Sequence, residues 1–139
     1  MDTPRARYIP LRDNDIKDVI KFIKENTSEG EYIYSGLKDH DALLFNNALV
    51  YFLSERRCAT RYHEMNPGFT TLPDVQREII EELKDKKVRL MVLVSGLWNA
   101  PDSETHKQDL DILDNYIRDN FELRGAIGEY EIWMRRANE

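Results

Sequence analysis

Five apolar residues in a row, Leu90 to Val94, close the segment Val88 to Val94 (VRLMVLV) without any polar alternation. A strand with one wet face alternates apolar and polar residues, so an unbroken run predicts a strand covered on both faces. Helical patterns precede and follow it. A sheet that is apolar on both sides needs helices on both. The chain therefore reads as a three-layer α/β/α sandwich, with a Rossmann-like mixed sheet and this strand near its centre.

Residues 1–12 contain Pro4 and Pro10 and little periodicity, which predicts an N-terminal arm whose Ala6 to Ile9 stretch suits a sheet edge. Residues 13–139 then form a single α/β domain. Asp13 or Asn14 caps a helix to Asn26, with Ile16, Val19, Ile20 and Ile23 on one face. Tyr32, Ile33 and Tyr34 mark a first strand over Glu31 to Ser35, and a loop is expected from Gly36. Asn47 suits the cap of a short helix through Leu53, although the same apolar run also suits a buried strand. Arg57 to His63 reads as a short strand, and Asn66-Pro67-Gly68 as a turn.

Thr71 and Asp74 have capping-box spacing and Pro73 fits a first turn, so a second long helix begins near Thr71. Its expected inner face is Leu72, Val75, Ile79, Ile80 and Leu83. After the central strand, Ser95 to Ser103 reads as a loop. A third helix over Glu104 to Asn120 points Leu110, Leu113, Tyr116 and Ile117 inward and acidic residues outward. The chain closes with two strands around Ile127-Gly128-Glu129, a hairpin with glycine where a positive φ is needed. The strands at Tyr32, Arg57 and Val88 are expected to be parallel, and the hairpin to add antiparallel ones.

Composition narrows the partners. The formal charge is -6, with 26 acidic and 20 basic residues. That balance disfavours nucleic acid and anionic membrane surfaces, which call for a basic face. No apolar run approaches the roughly 18 residues of a membrane span, so direct membrane insertion by this chain is not expected. A single cysteine, Cys58, makes no internal disulfide.

The candidate chemistry is thin. Asp39-His40-Asp41 offers potential metal ligands but reads as an exposed polar loop. His63-Glu64 starts a zinc-protease pattern whose second histidine is replaced by Pro67, so that reading fails. Cys58 beside His40 or His63 fits a small buried apolar residue better than a thiolate pair. Ser95 has Leu93 two residues before it in place of the glycine a nucleophile elbow requires. No phosphate-loop or dinucleotide fingerprint occurs, and neither cofactor nor metal is expected. The acidic set Asp102, Glu104, Asp109, Asp111, Asp114 and Asp119 reads as the solvated side of a helix. Tyr34, Tyr51, Arg61, Tyr62 and Trp98 should meet near one sheet edge, where such groups suit sugar or head-group contact and equally suit ordinary packing.

Several segments together carry a family resemblance: Tyr51-Phe-Leu-Ser-Glu-Arg-Arg with Thr60-Arg-Tyr-His, then Val75-Gln-Arg-Glu-Ile-Ile-Glu-Glu-Leu, and the Val88 to Val94 strand. Leu113-Asp-Asn-Tyr-Ile with Phe121-Glu-Leu, and Gly128-Glu-Tyr-Glu-Ile-Trp-Met-Arg-Arg, complete it. Over about Pro10 to Arg136 the chain resembles the soluble C-terminal domains of membrane glycosyltransferases that use polyprenyl-phosphate sugars, of the protein mannosyltransferase-like and aminoarabinose-transferase-like class. The resemblance implies a non-catalytic, extracytoplasmic accessory domain. Its partners would be the membrane-embedded part of the same polypeptide and a lipid-linked sugar or acceptor. In that family the catalytic carboxylates sit in the membrane portion, so no catalytic residue carries over. The alternatives are a free-standing small-molecule-binding α/β protein, cytoplasmic if it starts at Met1, and a small hydrolase using Ser95 or His63. Arg61, Tyr62 and Trp98 lie next to strand ends, where crevices form, and are the residues expected to contact a ligand or partner.

Overall fold

The computed structural model describes residues 14–40, 46–64, 71–94 and 111–137. Helix α1 (Asn14–Asn26) buries Ile16, Val19, Ile20 and Ile23, the stripe its periodicity prescribes. Strand β1 (Tyr32–Leu37) follows. It takes in Gly36 and Leu37, which sequence reasoning assigned to a loop, because they pair with Leu93 and Val94. The ambiguous apolar run is helix α2 (Leu49–Ser54); its N-cap is Ala48 and not the expected Asn47, whose Oδ1 nonetheless accepts the Leu49 N–H at 3.1 Å. Glu55 ends it in the left-handed region, φ 58.

Strand β2 is only Arg57–Cys58, so the expected strand to His63 is cut short. Helix α3 (Pro73–Asp85) starts with proline at its first turn, but its N-cap is Leu72 and no side chain caps it. The capping box is not used. Leu72 itself is 46% exposed and leaves the inner face to Val75, Ile79, Ile80 and Leu83. Strand β3 (Leu90–Val94) is buried at all five positions. Helix α4 (Ile112–Asn120) has non-helical Asp111 before it, so the described part of the third helix begins later than its periodicity suggests. Its Leu113 N–H is satisfied by Gln76 Oε1 of α3 at 2.9 Å. Strands β4 (Phe121–Ile127) and β5 (Tyr130–Arg135) form the closing hairpin, with Gly128 at φ 57.

The five strands lie in the order β2-β1-β3-β5-β4. β2, β1 and β3 are parallel, and β5 and β4 add antiparallel pairings, as expected. β3 is the middle strand. Successive residues of β1 point to opposite faces of the sheet. Tyr34 reaches α4 through His40, whereas the Ser35 hydroxyl donates to the Asn47 carbonyl at the start of α2. Helices α1 and α2 therefore pack together on one face and α3 with α4 on the other, a mixed α/β sandwich.

The brevity of β2 has a local cause. Glu31 and Ile33 offer their carbonyls to the N–H groups of Arg57 and Ala59, so the odd residues of β1 face β2. Further along, that edge is taken by side chains. Ser35 N–H donates to Tyr51 Oη at 2.7 Å, and the Ser35 carbonyl accepts Asn46 Nδ2 at 2.9 Å. Leu37 N–H donates to His40 Nε2 at 3.3 Å. Three side chains thus stand where a longer β2 would have paired, which also explains why Asn46 and His40 are buried.

The arm at Ala6 to Ile9, the turn at Asn66-Pro67-Gly68, the loop holding Ser95 and Trp98, and the acidic residues Asp102, Glu104 and Asp109 lie outside the described residues.

Candidate functional site

Among the described residues two places carry the polar chemistry: a sealed network at the end of β1 and an open groove beside β2. The first corrects the sequence reading. His40 was expected in an exposed loop and Asp114 on a solvated helix face, yet His40 is fully buried and Asp114 is 7% exposed. His40 Nδ1 lies 2.7 Å from Asp114 Oδ1, and the His40 N–H donates to Asp114 Oδ2 at 3.1 Å. Because Leu37 N–H points at Nε2, that nitrogen is the acceptor and Nδ1 carries the proton given to Asp114. Tyr34 Oη lies 2.8 Å from the same Nε2. Burial, with the Asp114 carboxylate adding to it, pushes the Tyr34 phenol well above its usual range and keeps it a donor.

A histidine backed by a carboxylate has the parts of a general base, but a base must reach the proton it removes. Here both ring nitrogens are committed and no ring atom meets solvent. The arrangement ties the end of β1 to α4. Gly36 makes room for it, since a Cβ there would collide with the Tyr34 ring.

Beside it, Asn47 Nδ2 donates to Tyr130 Oη at 2.8 Å and Asn46 Nδ2 also reaches the His63 carbonyl at 3.1 Å. Tyr51 Oη donates back to the Ser35 carbonyl at 3.3 Å. The expected edge cluster is thereby divided. Tyr34 and Tyr51 belong to the core, and only Arg61 and Tyr62 of the described members lie outside it.

The groove has a volume of about 900 Å³. Tyr51 and Phe52 of α2 line it with Arg57 and Cys58 of β2, and Arg61, Tyr62 and His63 continue beyond that strand. Arg61 Nε lies 2.7 Å from Glu78 Oε1, its Nη2 donates to Tyr62 Oη at 3.0 Å, and Tyr62 Oη donates to Glu78 Oε2 at 2.9 Å. This fastens the chain after β2 to α3 and lets Tyr62 form a wall. Arg56, which sequence reasoning passed over, is buried: it donates to Thr27 Oγ1 at 2.8 Å and to the Ser54 carbonyl at 3.2 Å, joining the ends of α1 and α2. Cys58 is half-buried, not a core residue, and its thiol donates to the Thr60 carbonyl at 3.1 Å. Among the described residues no group of three His, Cys, Asp or Glu could hold a metal, and no helix is long and apolar enough to cross a membrane.

No family model matches this sequence, and no curated protein matches it. Among solved structures, the chain is similar to the C-terminal globular domain of an oligosaccharyltransferase from Archaeoglobus fulgidus, at 12% identity and a TM-score of 0.45. The alignment covers 91% of this chain and 99% of that one. A similarity of that size fixes neither family nor function.

Proposed function

We propose that this chain is an accessory domain of a membrane glycosyltransferase, held on the extracytoplasmic side, which works by contact and leaves the chemistry to the membrane-embedded part. The reading rests on the sequence resemblance over about Pro10 to Arg136. The observation that carries its non-catalytic half is the division of polar groups between core and surface. His40 and Asp114 spend their hydrogen bonds inside the core, while Arg61 and Tyr62 border an open groove. A groove walled by tyrosine and phenylalanine beside arginine suits an acceptor or a lipid-linked sugar held for the enzyme. The same groove serves the second reading, a free-standing small-molecule-binding protein.

The test compares glycosyl transfer by membranes carrying the complete reading frame with transfer by membranes from which this domain is deleted. Deletion should lower transfer while the enzyme remains in the membrane, and the isolated chain should not turn over model esters or phosphoesters. Turnover by the isolated chain that is lost on changing Ser95 or His63 would instead make it a hydrolase.

A further inference from the structure

We propose that the groove beside β2 is a docking site for an extended peptide segment of a partner protein, which adds to the sheet edge as a further strand and places a carboxylate near Arg57 and Lys86. The inference rests on the groove being a contact surface, not on the glycosyltransferase assignment.

The first observation is position. Among the described residues β2 is the end strand of the sheet, and it lines the groove together with Phe52 of α2 and Tyr62, which bonds to α3. A further strand of the sheet would lie about 4.8 Å beyond β2. A strand there would send alternate side chains toward the two walls. The second observation is the backbone. Arg57 and Ala59 direct their N–H groups inward to Glu31 and Ile33, so the intervening Cys58 turns its N–H and carbonyl outward, toward the groove. A main-chain donor and acceptor at a groove floor suit strand addition, in which backbone bonds give affinity and flanking pockets give selectivity.

The third observation is charge. The Arg57 guanidinium lies 5.6 Å and the Lys86 ammonium 5.0 Å from the centre of the same Tyr32 ring. The hydrogen bond from Arg57 and the charge of Lys86 lower the Tyr32 pKa. Among the described residues neither cation has a carboxylate within ion-pair distance, although the Glu82 carboxylate feels the charge of Lys86 and the chain carries a net charge of -6. Arg61, by contrast, is already neutralised by Glu78. An incoming carboxylate is the complement of Arg57, which lines the groove, with the Lys86 charge beside the same tyrosine adding to the attraction.

The probe is a phage library of random dodecapeptides panned against the full chain and, in parallel, against the Arg57→Glu, Lys86→Glu double variant. Both changes are at the surface, and circular dichroism checks that the variant is folded. Enriched peptides should be free of internal proline, should alternate β-branched or aromatic residues, and should carry Asp or Glu. Bound peptide should slow exchange of the Cys58 amide and alkylation of its thiol at least tenfold, and the double variant should lose at least tenfold in affinity. The proposal is overturned by any of four results: no enrichment over a bare surface, no protection of Cys58, equal binding by the double variant, or self-association of the chain through this groove. Loss of glycosyl transfer in groove variants without peptide binding would leave the accessory reading standing and remove this one.

Discussion

Replacing His40 with alanine strands three groups at once: the Asp114 carboxylate, the Tyr34 hydroxyl and the Leu37 N–H. Stranding a buried polar group by removing its hydrogen-bond partner costs about 1–3 kcal/mol, and more when the group left behind is charged, as Asp114 is. His40→Ala should lower stability by that order in urea unfolding, and a His40→Ala, Asp114→Ala double variant by clearly less than the sum of the two single changes. Additive losses would mean that the two side chains are not coupled. The tyrosines add a pH dependence. Burial raises the pKa of Tyr34 and Tyr51 above the ordinary value of 10.0, with Asp114 next in size for Tyr34 and Cys58 for Tyr51. Between the unfolded and folded values the folded chain holds protons the unfolded chain has lost, so stability is complete below about pH 10 and falls above it. Each tyrosine should contribute a slope of about 1.4 kcal/mol per pH unit, and Tyr51→Phe should remove one share of it in urea unfolding at pH 9 to 11. None of this network was legible in Asp39-His40-Asp41. The partner is 74 residues away, at a position whose helical register alone points to solvent.

At the scale of elements, local rules served best where the pattern was long. The unbroken run Leu90 to Val94 meant a strand buried on both faces, and the stripe Ile16, Val19, Ile20 and Ile23 meant a helix with one inner face, because burial at those spacings leaves little choice. They failed where side chains compete with backbone pairing. The segment after Cys58 has strand-forming residues, but Tyr51, Asn46 and His40 already occupy the edge it would have used. The hairpin offers a quantitative test. Gly128 sits at φ 57, and a Cβ there would also collide with the Asp15 carboxylate of α1. Gly128→Ala should therefore cost about 1–2 kcal/mol for the left-handed backbone and more for the collision. Adding Asp15→Ala should recover only the second part in thermal unfolding. Full recovery would show that the backbone conformation contributes nothing.

For the whole molecule, the sandwich architecture followed from one strand, because a sheet apolar on both faces must be covered on both. The site followed only in part. Arg61 and Tyr62 do border the groove, since they leave the end of β2 where crevices form, whereas Tyr34 and Tyr51 turned out to be core residues, the hydroxyl of Tyr34 bonded to the His40 ring and that of Tyr51 to the Ser35 backbone. Amphipathic residues look alike in sequence whether their polar tips meet water or a buried carbonyl. The central claim is that this domain acts through the groove and performs no chemistry of its own. The most direct test is glycosyl transfer by membranes expressing the complete reading frame, comparing the unaltered protein with the Arg61→Ala, Tyr62→Ala double variant at equal enzyme levels. The account predicts a fall of severalfold or more in the double variant and no donor turnover by the isolated chain. Unchanged transfer in the double variant, or turnover of the sugar donor by the isolated chain, would contradict it.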